Sequence, residues 1–360
     1  MLFGEKIKNS FIIMESFINS LPKAELHMHL EGALEPELLL KLAERNGVQL
    51  PYTLEELKSR RESYENLMDF LREFNIGTLV LKNYQDFYDM LWSYLLKCSQ
   101  QNIVYTEIMI NVCRYTDDVS LNSVMEAYRN ACRNAEAQFG VKAKFILNIL
   151  KNASYEANLR MVESCAAYKD IIIGFGVAGA EVVAYSSSLK PIFERAKELE
   201  LCGANKTNIC CHAGEEGDPS YVIDALCGIN VSRIDHGVRS LEDPFLVKAL
   251  VSLQIPLTVC PLSNQKLKVL DRYFGGNHVV GRMIEEGLMV TINSDDPAFF
   301  GGYLNENFLE VVKSLSHLSE SEIKDHIKQL CKNSFLAAFI SDEEKMYYCN
   351  LVDQAYSQQS

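Results

Sequence analysis

Short apolar runs alternate along this chain with longer stretches in which apolar residues recur every three or four positions. The first pattern reads as buried strands and the second as amphipathic helices. Eight runs qualify as strands: AELHMHL (residues 24–30), IVYTEIMI (103–110), KFILNIL (144–150), IIIGFGV (171–177), NICCHAG (208–214), RIDHG (233–237), IPLTVC (255–260) and LMVTINSDD (288–296). Between them lie helical segments such as PELLLKLAERNG, with Pro36 in its first turn and Gly47 as its stop, and SVMEAYRNACRNAEAQFG, closed by Gly140. Eight strands with intervening helices predict an α/β fold, a parallel sheet closed as a (β/α)8 TIM barrel, with an open doubly wound sheet as the runner-up. Extra helices are expected between residues 52 and 100, after the first strand. No low-complexity stretch or Pro/Gly/Ser linker interrupts the pattern, so residues 1–360 are expected to form one domain.

Composition narrows the functional classes. A hydrophobic fraction of 48% over 360 residues supports a large core, and a formal net charge of -13 argues against a nucleic-acid partner, which needs Lys and Arg to displace counterions. The apolar run at residues 11–14 is too short for a signal segment or a membrane span. Eleven cysteines occur with no C-x-x-C, the pattern of free thiols in a reducing compartment, so a cytoplasmic, soluble chain without a membrane partner is expected. The stretch IIGFGVAGAE (172–181) contains a literal G-x-G-x-x-G at Gly174, Gly176 and Gly179. A dinucleotide fingerprint requires the third glycine to open a helix whose N–H groups face the pyrophosphate, yet helical periodicity resumes only near Leu189.

The candidate chemistry lies at the strand ends. His27 and His29 are two apart on a predicted strand and so share a face. Alone, such a pair is usually core. The later strands change the picture: one ends in His212 with Glu215 three residues on, one in His236, and one in Asp295-Asp296. Four of the seven histidines thus fall where the strands of a barrel converge on its catalytic face. Three imidazoles and a carboxylate suit zinc with one position left for water, whose pKa falls toward about 7 when it is bound. His236 is then free to handle the water's proton and Glu215 to protonate a substrate, provided its surroundings keep it in the acid form. The plain alternatives are a helix-start carboxylate at Glu215 and an Asp-Asp-Pro cap at Asp295 and Asp296. A metallopeptidase H-E-x-x-H is absent.

With HMHLEG, HAGEEG, RIDHGVR and SDDPAFFGGY in this order, the sequence resembles the adenosine and AMP deaminase superfamily of zinc (β/α)8 enzymes, most of all its adenine deaminase branch. YQDFYDMLWSYL and PLTVCPLSNQKLKV carry the same likeness. The resemblance implies one Zn2+ per chain on His27, His29, His212 and Asp295. It also implies protonation of purine nitrogen 1 by Glu215, assistance to the attacking hydroxide by His236, contact of Asp296 with the nitrogen 7 edge, and approach of the backbone N–H near Gly179 to nitrogen 3. The glycine-rich strand would then serve a base and not a pyrophosphate, since glycine permits such close approach. Two departures bear on the substrate. Ala178 and Ala180 depart from the D-x-A-G-D-E of adenosine deaminases and from the D-S-S-E of adenine deaminases alike, whereas Glu31 stands where the adenosine enzymes have an aspartate for the ribose and leans toward the free base. The implied reaction is hydrolysis of adenine to hypoxanthine and ammonia in purine salvage, with a small-molecule purine as the partner. Adenosine deamination is the first alternative and a non-catalytic purine-binding metal protein the second; an AMP deaminase would need an Arg/Lys cluster near the strand ends.

Overall fold

The computed structural model describes residues 12–115, 119–181 and 186–359. Residues 182–185, expected to be irregular, and Phe11 of the N-terminal apolar run lie outside these. Eight parallel strands pair strictly in chain order: β1 (Lys23–His29), β2 (Ile103–Ile110), β3 (Lys142–Leu150), β4 (Ile172–Ala178), β5 (Ile209–Ala213), β6 (Arg233–His236), β7 (Leu257–Val259) and β8 (Val290–Ile292). Just beyond β8, the Asp295 N–H donates to the His27 carbonyl at 3.0 Å and the Asp295 carbonyl accepts from the His29 N–H at 2.9 Å. This bridge joins the last strand to the first and closes the (β/α)8 barrel.

The helices start where the sequence supplies caps. Thr53 and Glu56 form a capping box for the helix Leu54–Arg60, Asn83 and Asp86 another for Tyr84–Gln100, and Pro36 opens Pro36–Arg45. Together with Leu67–Thr78, these are the extra helices after β1. Phe70 and Phe74 face the cavity at the barrel mouth, while Phe87 packs against Tyr115 and Tyr128 in the core. Among the described residues no helix is long and apolar enough to cross a membrane.

β8 is shorter than its apolar run suggests. Past Ile292 the ladder passes to side chains: Asn293 Oδ1 accepts from the Leu26 N–H at 2.8 Å, and Ser294 donates through its N–H and hydroxyl to Glu25. The supposed dinucleotide glycines are packing devices. A Cβ on Gly174 would lie 2.4 Å from Ile146, and one on Gly176 would lie 2.3 Å from Asn148 Oδ1 and 3.3 Å from the Cys210 carbonyl, so β4 can carry no side chain there. Gly179 sits at φ +103° and opens no helix; the next one is Ser186–Glu198.

Within the barrel, Arg233 and Glu107 form a fully buried ion pair, Nη1 to Oε2 2.7 Å, and Glu107 also accepts from the Tyr105 hydroxyl and the Phe339 N–H. Removing one partner strands the other charge in a dry interior. Glu107→Ala is therefore expected to lower the unfolding free energy by about 3–5 kcal/mol, read from denaturant titration, and a loss under about 1 kcal/mol would contradict this.

Candidate active site

β1, β5, β6 and the turn after β8 deliver His27, His29, His212, His236 and Asp295 to one point. The Nε2 atoms of His27 and His212 are 3.2 Å apart and those of His29 and His212 are 3.1 Å apart, while Asp295 Oδ1 lies 3.5 Å from Nε2 of both His27 and His29. The opposite ring nitrogens decide what faces the centre. His27 Nδ1 is 3.2 Å from the Thr258 carbonyl, which can only accept, and His212 Nδ1 is 3.3 Å from an Asp235 carboxylate oxygen. These oxygens favour the proton on Nδ1 in both rings, which turns bare Nε2 lone pairs toward each other. Two lone pairs at hydrogen-bond distance repel unless a cation lies between them, so this donor set fits a metal and its outer partners fix the tautomers.

Electrostatics agree with that reading. Burial and the facing His212 ring lower His29 to about 3, and burial lowers His212 and His236 as well, leaving neutral ligand-type imidazoles. His27 goes the other way: burial opposes its charge, but the Asp295 carboxylate outweighs it. The carboxylate attracts whatever positive charge is present, whether a proton or a metal ion.

Neighbouring residues at the strand ends both reach the site because the backbone breaks its alternation there. His236 has φ +66° and Asp295 φ +65°, the left-handed region that side-chain-bearing residues seldom occupy. Hence Asp235 can back His212 while His236 lies at the cavity, and Asp296 lines the cavity beside Asp295. Asp296 is not a cap: its side chain makes no helix-start bond, and its Oδ1 is buried without a partner. A Cβ on Gly32 would sit 2.1 Å from that oxygen, which explains the glycine of HLEG.

Glu215 does not begin a helix either; the next one, Pro219–Asp224, is capped by Asp218. Its carboxyl is buried, 3.5 Å from His236 Nε2, with Oε1 unpartnered. Burial, then the charges of Asp295, Glu181 and Glu216, raise it well above the usual carboxylate range, which favours the protonated form. Burial and the Asp295 carboxylate raise Asp296 in the same direction.

The cavity above these groups has a volume of about 130 Å³. Phe70, Phe74 and Leu71 of the helix Leu67–Thr78 form its apolar side, and Gly179, Asn148 and Glu31 its polar side. Seven of the eight residues singled out in the sequence line this cavity, and His27 lies behind it, its Nε2 3.2 Å from that of His212. Sequence reasoning missed Thr258 and Asp235, which back the His27 and His212 rings, Asn148, whose amide is buried without a partner among the described residues, and Glu181, whose carboxylate accepts from backbone N–H groups around Glu215. Only Asp235 carried a signal, as a carboxylate two residues from Arg233 on a buried strand.

The sequence pattern of the adenosine deaminase family matches residues 22–355. The chain belongs to this family. Among the relatives of this deaminase, adenine deaminase from Hahella chejuensis is 41% identical over 95% of the chain and 98% of its own length, and adenine deaminase from Acinetobacter baylyi 41% identical over 94% and 98%. The crystal structure of adenine deaminase from Arthrobacter aurescens superposes with a TM-score of 0.85 at 38% identity, covering 93% of this deaminase and 98% of that chain. Within the family the likeness is therefore to enzymes named for the free base, over nearly their whole length.

Proposed function

We propose that this chain hydrolyses adenine to hypoxanthine and ammonia in purine salvage, with zinc held by His27, His29, His212 and Asp295, Glu215 as the acid and His236 as the proton acceptor. The observation that carries the reading is the buried Glu215 carboxyl, 3.5 Å from His236 Nε2 at the edge of a metal-type donor set and raised by burial and its neighbouring carboxylates. Purine binding alone needs no such acid–base pair.

Zinc bound there would supply Lewis-acid activation of the attacking water. Glu215 delivers its proton to ring nitrogen 1, which draws electrons from carbon 6 and opens it to attack. His236, neutral and buried, takes the proton the water sheds and returns it to the leaving amine, and the carbon 6 hydroxyl gives its proton back to Glu215 as it becomes the carbonyl, so water and adenine balance hypoxanthine and ammonia. Asp296, in its acid form, donates to nitrogen 7, an acceptor, and its unpartnered Oδ1 is left for that edge. The N–H near Gly179 meets nitrogen 3. Phe70 and Phe74 cover the apolar ring faces and keep out water.

The free base is favoured over the nucleoside by Glu31. Its carboxylate is buried in the cavity wall and accepts the Tyr115 hydroxyl, at the position where the adenosine enzymes carry a shorter aspartate for the ribose. The test is the ultraviolet absorbance change of adenine and adenosine side by side, with metal-loaded and chelator-stripped protein. Metal-dependent turnover of adenine is expected, with adenosine at least about a hundredfold slower in kcat/KM. Faster turnover of adenosine would transfer the assignment to the nucleoside, and binding without turnover would make the protein a purine-binding module.

A further inference from the structure

The loop that carries Glu215 is held by an acidic residue lying 34 positions earlier in the chain. Glu181 follows the end of β4, two residues after Gly179. Its carboxylate accepts four backbone N–H groups in a row: Gly214 to Oε1 at 2.7 Å, and Glu215, Glu216 and Gly217 to Oε2 at 3.0, 2.9 and 2.8 Å. Charge-assisted bonds to one anion are the stronger class, and four consecutive amides aimed inward leave the Glu215 side chain only the outward direction, into the cavity. Gly214 makes the turn possible at φ +74°, and Gly217 gives Glu181 room, because a Cβ there would lie 3.1 Å from that of Glu181.

The same loop is tethered from its other side. Arg239 donates to the Glu216 carbonyl, and Arg272 pairs with the Glu216 carboxylate at 3.0 Å. These tethers act on residue 216, and the Gly214 carbonyl accepts from the Arg239 N–H at 2.9 Å. Loss of Glu181 therefore leaves the loop attached and removes what sets the direction of residue 215.

We infer that Glu181 is a positioning residue: its carboxylate, clamped by the amides of residues 214–217, fixes the Glu215 carboxyl against ring nitrogen 1 of the purine. The inference rests on Glu215 being the proton donor. Glu181 is not among the described residues that line the cavity. It acts through Glu215 alone, so its contribution exists only while Glu215 is an acid.

The experiment is a double-substitution cycle on the metal-loaded full chain, with adenine as substrate. Glu181→Gln replaces one acceptor oxygen by an NH2 group that opposes the facing N–H donors, at unchanged size. It is expected to lower kcat about thirtyfold, since misplacing a reacting group by an ångström costs up to a hundredfold. KM and the metal content should stay at wild-type levels. Glu181→Asp, which keeps the charge on a shorter arm, is expected to fall between. In the Glu215→Gln background the same Glu181→Gln substitution is expected to cost nothing more, because residues that act as a unit are not additive. Equal losses in both backgrounds, an unchanged kcat, or loss of metal or folded protein would each overturn the assignment and make Glu181 a structural anchor. Failure of the underlying reading is separately visible: either wild type is then inactive on adenine, or Glu215→Gln by itself keeps the full rate.

Discussion

Glu215→Gln is expected to keep its metal and its fold and to lose activity by on the order of a hundredfold or more, as for a removed general acid. Glutamine matches the carboxyl in size and can still donate a hydrogen bond to a ring nitrogen, but it has no proton to transfer. The residue is buried beside Asp295 and Glu181, and it is their charges, after burial itself, that keep its proton on. The sign of the pH dependence follows. A carboxyl raised above its ordinary value is active while protonated, so the wild-type rate should fall as pH rises through that raised value. The variant's residual rate should lack this alkaline limb. Metal analysis and kcat measured across pH test both parts; a variant with wild-type turnover, or one with the same alkaline limb, would remove Glu215 from the chemistry.

Much of this site was legible because the barrel translates strand order into proximity. The eight strands are recoverable from apolar runs with short, regular spacing, and a polar residue closing such a run has only the barrel mouth to occupy. What stayed hidden depends on single backbone angles and on distant pairings. Strand alternation predicts that Asp295 and Asp296 point to opposite faces, and only the positive φ of Asp295 brings both to the cavity. The end of β8 was overestimated because Asn293 and Ser294 continue its hydrogen bonding through side chains, which no periodicity records. Gly174 and Gly176 imitated a nucleotide motif because tight packing of adjacent strands and close approach to a phosphate make the same demand, the absence of a Cβ. Glu181 had no local signature, since its partners are backbone N–H groups about thirty-five residues away, and those carry no sequence at all.

Substitutions at the imidazoles should divide into two kinds, and the division decides which groups hold the metal. By distance alone two sets compete. His27, His212, His236 and Asp295 place ligand atoms within 4.8 Å of one another, whereas His29 offers Nε2 at 3.1 Å from His212 and 3.5 Å from Asp295. His236 Nε2 stands farther out, 4.0 Å from Asp295 Oδ2 and 3.5 Å from Glu215, and so faces the acid as much as the metal. His29→Ala and His212→Ala are therefore expected to purify with little metal and to fall below about a thousandth of wild-type kcat/KM, the several kcal/mol that a metal contributes. His236→Ala should keep one metal per chain and still turn over adenine poorly. Stability gives a second readout. At a metal concentration a thousand times Kd, binding adds about 4 kcal/mol to the folded state, so chelation should lower the melting temperature of wild type and of His236→Ala alike. His212→Ala, having little metal to lose, should melt at the same temperature with and without chelator. If His236→Ala lost the metal while His29→Ala retained it, His236 would be a ligand, and proton transfer from the attacking water would have to pass to Glu215.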